Sequence, residues 1–97
     1  MVEKIIWAPR AAKQFEEICE YIARDSDYYA VLFAGRINAI IKNVPLYPMS
    51  GRVVPEYKDK NLREKIYQNY RIVYRLKKGM VEIVAIVHGA RQFKDLW

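Results

Sequence analysis

The chain has 97 residues, 53% hydrophobic and 29% charged, a balance that excludes disorder and fits one domain over residues 1–97. Its apolar runs fall far short of the ~20 residues of a membrane span, and one Cys with one His cannot complete a zinc ligand set. Residues 1–50 carry six basic and six acidic side chains, whereas residues 51–97 carry eleven basic and five acidic, so the whole formal charge of +6 sits in the second half. That asymmetry is either a plain basic surface or the mark of an anionic partner, nucleic acid or acidic polypeptide.

Glu3 to Trp7 reads as a first strand, because Ile5, Ile6 and Trp7 are strong strand formers. The same N-terminal stretch holds a charge pair and lacks a small-residue cleavage site, so no signal peptide is expected. Pro9 suits the first turn of a helix, though Ala8 is a poor cap. Ala12, Phe15, Ile18, Cys19 and Ile22 then recur at helical spacing and predict a helix to about Arg24. Cys19 falls on this stripe as a core residue. Being alone, it forms no internal disulfide and fits a reducing cytoplasm. Asp25-Ser26-Asp27 breaks the pattern and offers caps for a second helix, with Phe33, Ile37, Ile40, Ile41 and Val44 as its buried stripe. Pro45 and Pro48 end it, and the short link makes the two helices a hairpin.

Residues 46–61 read as an irregular segment punctuated by Pro48, Gly51 and Pro55, with Arg52 as a tie between loop and helices. Leu62–Tyr67 and Tyr70–Lys77 alternate as strands about a tight Gln68-Asn69 turn, and Gly79 closes a second hairpin onto Val81–His88. That last strand is almost continuously apolar, as a central strand covered on both faces would be. Residues 90–97 are a short helical turn or a tail. The expected fold is α+β in the order β-α-α-β-β-β, a helical hairpin packed on one face of a mainly antiparallel four-stranded sheet.

The strand Tyr70-Arg71-Ile72-Val73-Tyr74-Arg75 is unusual, since arginine is costly on a small sheet unless it faces water or an anionic ligand. Arg71 and Arg75 could pair with Glu64 or Glu82 across neighbouring strands. The alternative is a basic, partly aromatic sheet surface completed by His88-Gly89-Ala90-Arg91.

With Trp7-Ala8-Pro9-Arg10-Ala11, Tyr21-Ile22-Ala23, Pro48-Met49-Ser50-Gly51-Arg52 and Leu62-Arg63-Glu64, these pieces resemble, in order and spacing, the RelE/ParE superfamily of toxins from type II toxin–antitoxin modules. The resemblance covers nearly the whole chain. It implies a growth-inhibiting toxin of the cytoplasm, neutralised by a cognate antitoxin, without metal or cofactor. RelE-like members cleave mRNA on the ribosome. ParE-like members inhibit DNA gyrase without enzymatic activity. A member that only binds its antitoxin is a third possibility.

RNA cleavage needs an activated 2′-OH, a stabilised pentavalent phosphate and a protonated leaving oxygen. Arg71 and Arg91 could clamp the phosphate and His88 could move the proton. Lys58, Lys60 and Arg63 could bind flanking RNA, and Tyr70 could stack on a base. This convergence favours the metal-independent endoribonuclease over the gyrase inhibitor. Against it, His88 could simply bond a backbone carbonyl, and a helical hairpin with a basic sheet serves equally well to dock gyrase and antitoxin.

Overall fold

The computed structural model describes residues 4–89. The elements are β1 (Lys4–Trp7), α1 (Pro9–Ala23), α2 (Asp27–Asn43), β2 (Arg52–Val53), β3 (Leu62–Tyr67), β4 (Tyr70–Lys77) and β5 (Met80–His88). They form a five-stranded sheet in the order β1-β5-β4-β3-β2. β1 runs parallel to β5, and the remaining neighbours are antiparallel.

The expected four strands become five because Arg52–Val53, inside the segment read as irregular, pairs with Glu64 and Arg63 of β3. A strand of two residues is too short to display alternation. Glu3 and the 90–97 segment lie outside the described residues.

Each helix forms for a local reason. Pro9 opens α1, and Ala8 gives it no side-chain cap. Instead the Ala8 N–H donates to the Ile83 carbonyl at 2.9 Å, so the sheet anchors the helix start. The stripe of α1 is centred on Phe15, Ile18 and Ile22, with Ala11 fully buried; Ala12, counted on the stripe in the sequence, is exposed. At 100° per residue Ala11 sits in line with Ile18 and Ile22, whereas Ala12 falls toward the flank. α2 starts at Ser26, whose hydroxyl accepts from the Tyr29 N–H at 3.2 Å. It buries Phe33, Ile37 and Ile41, with Val44 just past its end.

These stripes meet Ile72, Tyr74, Val81, Ile83 and Ile86 in the main core, on one face of the sheet. The opposite face carries a second cluster of Val54, Leu62, Val73, Val84, Ala85 and Val87, with Tyr57 packed on it. Strand alternation therefore sends Tyr70, Ile72 and Tyr74 of β4 toward the helices, and Arg71 and Val73 away from them. β5 is covered on both faces, as its apolar run predicts. A bulge opposite Val73 and Tyr74 leaves Val84 between the pairs Val73–Ala85 and Tyr74–Ile83.

Candidate functional site

Arg71 emerges on the face away from the helices, diagonally across from Glu64 of β3. Its Nε donates to Glu64 at 2.6 Å, and Nη1 and Nη2 donate to the two Glu56 oxygens at 2.9 and 2.8 Å. The other Glu64 oxygen accepts from Arg52 Nε at 2.5 Å. The side chains are 6% exposed at Arg71, 0% at Glu64, 11% at Glu56 and 60% at Arg52, so only Arg52 opens the chain of four to water. Two guanidinium groups face two carboxylates, and the quartet has no net charge. The bond to Glu56 is the largest influence raising the Arg71 pKa; burial opposes it and Glu64 reinforces it.

Arg71 thus forms the cross-strand pair with Glu64 that the sequence allowed. Arg75 does not pair with Glu82: it reaches Asp59 at 3.6 Å, while Lys77 takes Glu82 at 3.1 Å.

Beside the quartet lies an open cleft of about 880 Å³, whose walls include Arg52, Glu56, Ile66, Tyr70, Arg71 and His88. Three of the predicted site residues, Arg71, His88 and Tyr70, therefore share one cleft. His88 is exposed at the end of β5, with its ring edge-on to Tyr70 at a centroid distance of 5.7 Å. Tyr70 also stacks edge-on against Phe33 at 5.1 Å, which ties it to the core. Arg91 lies outside the described residues.

Lys58, Lys60 and Arg63 do not line this cleft. Lys58 is exposed at a left-handed φ of 53°, in the turn where its N–H bonds the Val54 carbonyl. Lys60 is exposed, and its carbonyl accepts from Arg63 Nε at 2.8 Å. Arg63 Nη1 bonds the carbonyls of Gly51 at 2.8 Å and Met49 at 3.2 Å, so this side chain clamps the loop that enters β2. From β4 the Tyr74 hydroxyl accepts from the Gly51 N–H at 3.0 Å and donates to the Pro48 carbonyl at 2.9 Å. Burial pushes the Tyr74 pKa up and keeps the hydroxyl neutral. A Cβ on Gly51 would lie 2.7 Å from the Glu64 carbonyl oxygen and still closer to the Tyr74 hydroxyl, which explains the glycine.

The sequence reading missed Glu56. Its signal is an arithmetic one: a buried arginine needs carboxylates, and Glu56 is the only acidic residue between Asp27 and Asp59.

The chain is thus a helical hairpin on one face of a mixed sheet, with β1 parallel to the last strand. The fold is shared with a structure of the chromosomal ParDE toxin–antitoxin system from P. aeruginosa, at a TM-score of 0.72 and 17% identity, covering 90% of this chain and 96% of that one. It is shared less closely with the YoeB dimer from Staphylococcus aureus, at a TM-score of 0.58 and 13% identity, covering 88% and 94%. Residues 5–93 match the ParE toxin of the type II toxin–antitoxin system parDE, so the chain belongs to that family and, with it, to the RelE/ParE superfamily. It is also 31% identical over 96 residues to Y4kP of Sinorhizobium fredii (strain NBRC 101917 / NGR234), whose name marks it as a candidate toxin; the match covers 97% of this chain and 96% of Y4kP.

Proposed function

We propose that this toxin acts in the ParE manner, by binding a protein target, DNA gyrase, rather than by cutting RNA. One observation carries this: the guanidinium of Arg71, the best-placed phosphate clamp, is held by Glu64 and by both oxygens of Glu56. A clamp already matched by carboxylates contributes little attraction for a phosphate. Membership of the ParE family supports the same reading. A cognate antitoxin would cover the helical hairpin, where a groove of about 430 Å³ is lined by Cys19, Ala23, Ala30, Val31 and Ala34 together with the carboxylates Glu20 and Asp27. Among the described residues, no helix is long and apolar enough to cross a membrane, and the site of action proposed is the cytoplasm.

A second reading has its own support. Glu56, Tyr70, Arg71 and His88 converge on one cleft, as a RelE-like ribosome-dependent endoribonuclease would require. There His88 would protonate the leaving oxygen, and Arg71 would have to exchange Glu56 for the scissile phosphate.

Expression from a tight promoter separates the two. Altered supercoiling or DNA breaks with intact transcripts is the expected outcome. Codon-linked mRNA cuts that vanish in His88→Ala would overturn the first reading in favour of the second.

A further inference from the structure

The segment between α2 and β2 exposes three large apolar side chains within four positions: Leu46 is 66% exposed, Tyr47 67% and Met49 59%. Its backbone is nevertheless pinned. The Tyr47 N–H donates to the Asn43 and Val44 carbonyls, and the Ser50 N–H to the Tyr47 carbonyl. Tyr74 holds Pro48 and Gly51 from the sheet, and Arg63 holds Met49 and Gly51 from the side. A segment with this many fixed ends loses little further entropy when it binds, the condition for a preorganised docking surface.

The surrounding charge specifies the partner. The chain has no Asp or Glu from Tyr28 through Pro55. Arg63, against the loop, gives its hydrogen bonds to carbonyls of Lys60, Met49 and Gly51, and among the described residues it has no carboxylate partner. Lys42 and Lys60 are exposed nearby in sequence and hydrogen bonding. Leu46 and Met49 offer no planar face for a base, so the surface suits protein better than nucleic acid. Methionine and tyrosine on a rigid support are typical anchors of protein interfaces.

We infer that the Leu46–Met49 loop is the surface with which the toxin grips its target, and that the target presents an acidic protein segment. Apolar side chains of that segment sit on Leu46, Tyr47 and Met49, and its carboxylates face Arg63 and Lys60. The inference rests on the protein-binding function proposed above and adds the surface and the partner's chemistry.

The test compares the wild-type chain with a Leu46→Ser/Tyr47→Ser/Met49→Ser variant and with Lys60→Glu. Unfolding midpoints verify the fold, purified gyrase serves as probe, and growth arrest is scored in cells. The triple variant should keep its midpoint and its complex with the antitoxin, weaken growth arrest, and raise the half-inhibitory concentration by about tenfold or more. Lys60→Glu should give a smaller loss that shrinks with added salt. Wild-type potency in the triple variant overturns the inference. So does loss of the antitoxin complex, or a wild-type dimer that the variant dissociates, because the loop then serves another occupant. A wild-type chain that arrests growth but leaves gyrase untouched sinks the gyrase proposal alone, and growth arrest by the triple variant then decides the loop. A wild-type chain that does neither overturns both.

Discussion

Replacing Arg71 by Met keeps much of the side chain's volume while removing its charge. Its charge-assisted hydrogen bonds to Glu64 and Glu56, at 2.6, 2.8 and 2.9 Å, disappear. Each such bond is worth ~1.5–3 kcal/mol in isolation, but bonds within one network do not add. The better bound is the loss on breaking a buried ion pair, about 3–5 kcal/mol, because a charge is left stranded. Here the stranded groups differ. Glu64, fully buried, retains Arg52, and Glu56, which loses both of its bonds to Arg71, is the more exposed of the two carboxylates. We expect the lower half of the range, about 3–4 kcal/mol. That is a large fraction of the ~5–15 kcal/mol that holds a domain of this size together. Urea unfolding followed by tryptophan fluorescence measures it, and at ~1 kcal/mol per molar the midpoint should fall by several molar units or the variant should be unfolded outright. Adding Glu56→Gln to Arg71→Met removes the carboxylate that lost those two bonds and should recover ~1–3 kcal/mol. A midpoint within ~0.5 M of wild type in Arg71→Met would refute a structural role and return Arg71 to the list of residues kept for a ligand.

Gly51→Ala forces a Cβ against the Glu64 carbonyl and the Tyr74 hydroxyl; thermal unfolding should show a loss of ~1–3 kcal/mol. Gly79 has φ +73° with open space around it, so Gly79→Ala should cost only the ~1–2 kcal/mol of a left-handed backbone, by the same assay. Tyr74 has a folded pKa raised above its ordinary value of 10.0. The unfolded chain therefore loses this proton first, and the stability Tyr74 contributes is complete below pH ~10 and lost as pH climbs through the folded value. Tyr74→Phe should flatten that alkaline decline. Burial also raises the Cys19 pKa, so its alkylation by iodoacetamide near neutral pH should be slower in the folded chain than after denaturation.

What could be read from the sequence was whatever repeats at short range. Phe33, Ile37 and Ile41 announce one face of a helix. Gln68-Asn69 and Gly79 announce hairpins, since a turn needs particular backbone angles: Gln68 sits at φ 52° and Gly79 at 73°. The parallel pairing of Lys4–Trp7 with Met80–Ile83 joins segments about 76 residues apart and leaves no local trace. At the site, alternation placed Arg71 on the sheet and the spacing brought His88 to the same end. Glu56 was invisible because its partner lies fifteen residues away and its own loop has no period to betray which way it faces. The part Arg63 plays in the loop was hidden for a related reason. Its role is to satisfy the carbonyls of Met49 and Gly51, and an unpaired carbonyl in a loop has no signature in the sequence.

The two locks on the 48–64 segment work from opposite sides of one strand. Tyr74 leaves β4 on the helix side and bonds Pro48 and Gly51; Arg71, three residues earlier, leaves on the other side and bonds Glu56 and Glu64. β4 is thereby the spine to which the long connection is fastened both before and after β2. For a nuclease this is an awkward design, because exposing Arg71 to a phosphate means releasing Glu56 and loosening the connection during each turnover. For a protein that works by docking it is an advantage. The bonds from Tyr74 to Pro48 and Gly51 and from Arg63 to Met49 and Gly51 hold Leu46, Tyr47 and Met49 in a fixed presentation, and a surface ordered before it meets its partner retains more of its contact energy as affinity.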